Sequence, residues 1–486
     1  MMRPRAPGGQ NNSCGAVTVS GGRGVTAGDM QATFKLLLLP ALLLSACKDG
    51  DGEASDGSSS GDTTAGETGE TGEVAARTYW QDVAPIYYDR CVACHQAGGI
   101  APFALDNAED AGKWAAASAA AVQDRTMPPW LMTSDGSCGE FRGSRALAEE
   151  EIATIVHWAA EGAAPGSARD DLKPPPLPGL GDGLTLRTPE FSPSPVGGPL
   201  AEFDEYRCFM VDPKLDHDQF LTGYEVTPGN APLVHHVLAM PVDLDALGYD
   251  GMTRNGDLIA ALDAESPDRD GWPCFSAAGD GVANDGLPVT WAPGMGAVEY
   301  PDDTGVRVPA GRQIVIQIHY NLHDPALEGQ SDSSAVKLRF VDEVAREGYF
   351  DVIDPFIDTL FEGEPDALAP GKASEKYTWT VDVGKYAVPP GAEQVEVYGL
   401  FPHMHERGHK WRATLLDGDE EQCIGDVQHW DFDWQLYYFY EQPKIVRPGT
   451  RLRVTCDFDT RDAKEPVTPG WGTQNEMCLA GVYVVP

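Results

Sequence analysis

The sequence predicts a mainly β protein: two antiparallel β-sandwich (jelly-roll-like) domains preceded by a small all-α domain. Three observations predict it. Strand-like apolar runs recur through the second half, at 220–226, 313–318 and 450–455, and are broken by Pro, Gly and Asp. Gly 54 and Pro 38 are high counts for 486 residues and favour turns and linkers. Helical spacing is confined to an earlier stretch, at 80–88 and 147–160. A chain of this length suggests about three domains, and 42% hydrophobic residues suffice for their cores. Lys+Arg 35 against Asp+Glu 75 gives a net charge of -40. Such a surface repels nucleic acid and anionic head groups, so no nucleic-acid partner is expected.

Residues 1–29 are Gly-rich and lack apolar periodicity, and Met30 reads as the true start. Lys35 precedes an apolar run at 36–44 that is too short to span a bilayer, followed by Ser45-Ala46-Cys47. This is a signal-peptide pattern, so 1–47 reads as a leader. Leu44-Ser45-Ala46-Cys47 resembles a bacterial lipobox, which would make Cys47 a lipidated N-terminus. An ordinary secretory signal with an incidental Cys47 is the alternative. Lys48, rather than Asp, follows Cys47 and favours the outer membrane. The expected location is the bacterial cell envelope, periplasmic or at the surface, held by the lipid alone. Residues 48–77 are Asp, Glu, Gly, Ser and Thr with little apolar content, and read as a disordered acidic tether.

The unit at 78–168 contains Cys91-Val92-Ala93-Cys94-His95, a C-x-x-C-H sequence of the kind that attaches c-type haem. Cys91 and Cys94 would bond the haem and His95 would ligate its iron. Met127, in Met127-Pro128-Pro129-Trp130, is the expected sixth ligand, with Met132 as runner-up. A redox dithiol or half a zinc site would use the same cysteines, but no second C-x-x-C is present. The unit resembles single-haem cytochrome c domains over most of 78–165. Residues 169–199 read as a Pro/Gly linker.

The sandwiches are expected at 200–345 and 346–486. The first holds His235, His236 and His319. Adjacent histidines on a regular strand face opposite ways, so both reach one ion only where the strand ends or bulges. The second holds His403-Met404-His405. On an extended chain His403 and His405 share a face and Met404 takes the other. Two imidazoles with the thioether of Met477 would suit copper, because the sulfur ligand is soft and neutral.

Five ordered pieces carry a resemblance over 205–486. They are Tyr206-Arg207-Cys208-Phe209-Met210, Val234-His235-His236-Val237-Leu238, Gln317-Ile318-His319-Tyr320, His403-Met404-His405 and Glu476-Met477-Cys478. The region resembles the copper type II, ascorbate-dependent monooxygenases, the peptidylglycine α-hydroxylating and dopamine β-monooxygenase class. The resemblance implies two sandwiches facing each other across an open, solvated cleft, with one copper on each. His235, His236 and His319 would hold the electron-transfer copper. His403, His405 and Met477 would hold the catalytic one. It further implies disulfides Cys208–Cys274 and Cys456–Cys478, whereas Cys138 and Cys423 are left without a partner.

The activity implied is hydroxylation of a C–H bond of a small organic substrate by O2, with two electrons from an external donor. That donor is ascorbate in the family, and a fused haem could replace or relay it. Where peptide-amidating members read a substrate carboxylate, this chain has Phe401, Leu479 and Gly481, so an apolar or neutral substrate is expected instead. The rival reading is a non-catalytic copper-binding and haem electron-transfer lipoprotein.

Overall fold

The structure, a computed structural model, describes residues 76–176, 179–195, 204–275, 277–293, 295–322, 324–359 and 366–486. The leader, Cys47 and the tether up to residue 75 lie outside them. Among the described residues, no helix is long and apolar enough to cross a membrane.

The first unit is helical. A π-helical turn, Tyr79–Val83, runs into the helix Ala84–Arg90, whose Pro85 sits in the first turn where no amide donor is needed. The helix Ala108–Lys113 starts where the Asn107 side chain accepts from Asp110 N. Ala115–Gln123 and Glu149–Ala160 complete the set, the latter with three glutamates against the positive end of its dipole. Their apolar faces bury Tyr79, Tyr87, Ile155 and Trp158 in one cluster. Tyr87 stands edge-on to Trp158 with ring centroids 6.3 Å apart.

The rest is mainly antiparallel β. In the first sandwich, a five-stranded sheet runs Trp272–Pro273, Asp204–Val211, Gln313–Asn321, Val234–Val242, Val289–Trp291. Its partner sheet runs Leu184–Arg187, Ala335–Val341, Gln219–Thr227, Thr304–Val308, Arg346–Glu347, with Val298–Glu299 beside Gln219–Thr227. Leu184–Arg187 thus lies inside the stretch read as a linker and pairs antiparallel with Ala335–Val341. In the second sandwich, Tyr349–Ile353, Leu479–Val485, Val395–His403 and Tyr438–Val446 form one sheet. Glu375–Val381, Arg451–Phe458, Gly408–Asp417 and Glu420–Val427 form the other. The alternation expected around the His-x-His pair is present: Met404 is fully buried in the core while His403 and His405 line a cavity.

The segment after the Ala-rich helix leaves the helical unit and packs on the second sandwich. Met132 bridges to Val427 and its sulfur accepts from Asp426 N at 3.2 Å. Phe141 bridges to Tyr440. Trp130 stands edge-on to Tyr438, with centroids 4.9 Å apart. Cys138 is bonded to Cys423 across 285 residues, which supplies the partners the sequence left open. Cys208–Cys274 and Cys456–Cys478 are the other disulfides among the described residues.

Cys138–Cys423 closes the longest loop of the three, so it constrains the unfolded chain most in the loop-entropy account. The double variant Cys138→Ala/Cys423→Ala is expected to unfold at lower temperature by calorimetry, losing about 2–5 kcal/mol. Limited proteolysis should then cut between 130 and 142. An uncut segment would show that the noncovalent packing alone holds it.

Candidate paired metal centre

The first site sits at one end of the five-stranded sheet. The register of Val234–Val242 against Gln313–Asn321 shifts between Val234 and His236. This is the irregularity that two adjacent histidines need to face one point. The ligand nitrogens of His235, His236 and His319 all lie within 4.8 Å of one another. His319 Nδ1 is 3.2 Å from both His235 Nδ1 and His236 Nδ1. His319 Nε2 donates to Asp204 Oδ1 at 2.8 Å, which leaves Nδ1 as the lone-pair nitrogen facing the other two rings. Tyr206 stacks on His319 at 4.0 Å. His235 Nε2 is buried without a partner. Burial pushes His235 and His236 well below the usual histidine range, so both are neutral and able to ligate. Burial opposes ionisation of Asp204, but the hydrogen bonds from His319 and Thr473 outweigh it and hold the carboxyl below its usual value.

The second site forms where Val395–His403 ends. His403 stands opposite Leu479 in the neighbouring strand, so Met477 arrives two residues before that register point. Its neighbour Cys478 is buried and bonded to Cys456. His403 Nδ1 donates to Gln435 Oε1 at 2.6 Å, and His405 Nδ1 donates to Asn475 O at 3.1 Å. Each imidazole is left with its Nε2 lone pair. Gln435 is itself set by its amide donating to Phe432 O at 2.8 Å. The Glu476 carboxylate accepts from His405 N at 2.8 Å and Arg407 N at 2.7 Å, and burial raises it to about 8. Burial lowers His403 to about 4 and His405 to about 3. His403, His405, Met477 and His236 line one cavity of about 660 Å³ between the sandwiches.

Both donor sets fit copper on the chemistry of their atoms: three imidazoles in one, two imidazoles and a thioether in the other. The expected open cleft is not what separates them. The Phe432 ring stacks on His235 at 4.5 Å and stands edge-on to His405 at 6.0 Å. Thr473 and Trp471 of the second sandwich are hydrogen-bonded to Asp204 and Tyr206 of the first.

The positions where a carboxylate clamp was missing are apolar surface. Phe401 and Leu479 pack with Met477 and Ile357. Gly481 has no side chain because one would meet Tyr437 Oη at 2.9 Å and Phe401 Cβ at 3.0 Å. The sequence missed an acidic wall. Asp351, Asp354 and Asp358 also line the cavity, and Asp354 Oδ2 is buried without a hydrogen bond. Burial raises Asp354 to about 7.

In the helical unit, Cys91, Cys94 and His95 share one turn, with Cys94 N and His95 N both donating to Cys91 O. Both cysteines are free, and burial pushes the Cys91 thiol up to about 12. His95 Nδ1 donates to Phe103 O at 3.1 Å and leaves Nε2 as a ligand atom. Two free thiols and an oriented imidazole on one turn fit covalent haem attachment. Met127 is half-buried after the Ala-rich helix, its amide donating to Ala121 O at 3.3 Å. Met132 is committed to the second sandwich, which removes it as an axial ligand in this arrangement.

Residues 363–485 match the family described as copper type II ascorbate-dependent monooxygenase, C-terminal domain. Dopamine beta-hydroxylase of Homo sapiens is 25% identical over 301 residues, covering 58% of this chain and 43% of that protein. Tyramine beta-hydroxylase of Caenorhabditis briggsae is 25% identical over 313 residues, covering 61% and 47%. The chain therefore spans less than half the length of these relatives. Among solved structures, the major capsid protein P2 of bacteriophage PM2 aligns at 11% identity and a TM-score of 0.23, covering 62% of this chain and 98% of that one. The chain is thus similar to the copper type II monooxygenases in its last quarter by the family match, and over a longer stretch to these two hydroxylases at about 25% identity.

The buried imidazoles give a pH test. Their folded pKa values are depressed, so below about 6.5 the unfolded chain binds protons that the folded chain refuses. Stability of the metal-free protein is expected to fall from pH 7 to pH 5, by up to about 1.4 kcal/mol per pH unit for each such histidine. His405→Gln should flatten the slope in calorimetry. An unchanged slope would mean that His405 is not held neutral by burial.

Proposed function

We propose that this protein is a copper-dependent monooxygenase that hydroxylates a C–H bond of a small, mostly apolar substrate carrying an amine. The observation that carries the reading is the single cavity walled by His403, His405 and Met477 on one side and His236 on the other. The balance is RH with O2, two electrons and two protons giving ROH and water. Bound copper supplies the one-electron chemistry of O2 reduction. The protein's part is to orient the imidazoles, through Asp204, Gln435 and the Asn475 carbonyl, while burial keeps His235, His236, His403 and His405 uncharged. Phe401, Leu479 and Tyr437 shape an apolar wall that excludes water from the reacting carbon.

The amine is argued from the acidic wall. An ammonium in the cavity beside Asp351, Asp354 and Asp358 would favour the charged form of the Asp354 carboxyl, which burial otherwise opposes. The relatives named for dopamine and tyramine act on arylalkylamines, which have this shape. The neutral substrate expected from the sequence lacks the charge that this wall would bind.

Electrons would come from ascorbate or another donor, relayed through a haem at Cys91, Cys94 and His95 with Met127 as sixth ligand. The support is the two free thiols beside an oriented imidazole, and the packing of the adjoining segment on the catalytic sandwich. A tethered donor acts at high effective concentration. Three disulfides and covalent haem both suit an oxidising compartment, in keeping with a lipid-anchored envelope protein.

The test is oxygen uptake by copper-loaded protein with ascorbate and a panel of arylalkylamines and their neutral isosteres. Uptake coupled to amine and lost in His403→Ala is the expected result. Asp354→Asn keeps the oxygen that caps the helix Pro355–Asp358, and should raise KM for amines about tenfold or more while leaving neutral isosteres unchanged. Two bound coppers without coupled uptake would favour the electron-carrier reading.

The haem has its own test. Haem should stay with the chain on a denaturing gel and be lost in Cys91→Ala/Cys94→Ala. Reduced haem should reoxidise when the copper is supplied as Cu(II) in stopped flow. Haem that stays reduced would remove the relay.

A further inference from the structure

Two residues on one strand of the first sandwich hold both sites. Asp204 and Tyr206 are two apart on Asp204–Val211 and therefore face the same way. Both position His319, Asp204 by accepting its Nε2–H at 2.8 Å and Tyr206 by stacking on its ring. Both also reach across to one loop of the second sandwich. Thr473 Oγ1 donates to Asp204 Oδ1 at 3.0 Å, Thr473 N donates to Asp204 Oδ2 at 3.2 Å, and Tyr206 Oη donates to Trp471 O at 2.7 Å. Two residues past Thr473, the Asn475 carbonyl orients His405. Two further on is Met477. A run of seven residues, 471–477, therefore carries one ligand of one site, the carbonyl that orients another, and the contacts that fix the other site.

We propose that Asp204 and Thr473 form a latch that holds the two metal sites face to face and couples the orientation of His319 to that of His405. Asp204 is fully buried, and so is its bond to Thr473. Withdrawing the loop would strip two of the three donors from a buried carboxylate and leave only His319, and losing hydrogen bonds to a buried charge is costly. The same withdrawal would take the Asn475 carbonyl and Met477 away from the first sandwich. Phe432 completes the closed face by filling the gap between His235 and His405. Asp204 and Thr473 are positioning residues, since neither lines the cavity. The latch rests on the copper reading only for one of its two tests.

The first test uses the full chain loaded with Cu(II) and reads the copper–copper distance by pulsed dipolar electron paramagnetic resonance. Thr473→Val, which removes the hydroxyl donor at equal size, should shift the distribution to longer distance. Thr473→Ser should keep the wild-type distribution. Tyr206→Phe, which keeps the stack and loses the bond to Trp471, should lengthen it as well. The second test needs no metal. In hydrogen exchange of the metal-free chain, Thr473→Val should speed exchange about tenfold or more at 204–206 and 319–321, in the opposite sandwich. Failure to bind two coppers would count against the proposed function and leave the exchange test to decide the latch. A wild-type distance in Thr473→Val, or exchange changes confined to 471–477, would overturn the latch. So would equal effects of valine and serine, since the hydroxyl would then not be the cause.

Discussion

The structure depends on where the second nitrogen of each imidazole goes. His319 gives one nitrogen to Asp204, His403 to Gln435 and His405 to the Asn475 carbonyl. Each bond fixes a tautomer and a ring direction, so the remaining lone pair is aimed before any ion arrives. The direction differs between the sites. His319 is left with Nδ1, whereas His403 and His405 are left with Nε2. Burial then keeps His403 and His405 uncharged. Buried neutral imidazoles with assigned acceptors are costly to arrange unless they ligate something, and His235 Nε2 has no partner at all.

The elements around this set give it rigidity. Cys456–Cys478 ties the strand after Met477 to the opposite sheet of its sandwich. Cys208–Cys274 ties Asp204–Val211 to the chain just beyond the edge strand Trp272–Pro273. The Glu476 carboxylate binds the backbone on either side of Glu406, which holds the chain as it turns away from His403. Cys138–Cys423 and the Met132 and Phe141 contacts fasten the segment that leads out of the helical unit. The residues that touch the cavity thus stand on strands and stapled loops, which suits a site where geometry decides reactivity.

Local periodicity made much of this legible. Alternation placed His403 and His405 on one face and Met404 on the other, which lies in the core. The adjacent pair at His235 and His236 demanded a break in the strand, and the register shift lies there. What stayed hidden depends on contacts remote in sequence. Cys138 gave no sign of Cys423, 285 residues away. Leu184–Arg187 looked like linker because its pairing partner lies about 150 residues on, in a sheet that its own composition does not announce. Asp204 stood beside a recognisable Tyr-Arg-Cys piece, and its two-residue offset from Tyr206 could have placed it on the site's face. Phe432 and Gln435 lie outside any regular strand, where no period points a side chain. Asp354 and Asp358 of the acidic wall were missed for the same reason, since they belong to a turn and a short helix.

The most direct measurement is isotopic. Copper-loaded protein would be given ascorbate, an arylalkylamine and 18O2, and the product examined by mass spectrometry. A paired-copper monooxygenase places one 18O atom in the hydroxylated product and the other in water, with two electrons consumed per turnover. Product oxygen drawn from water, or oxygen consumed with the substrate unchanged, would contradict it.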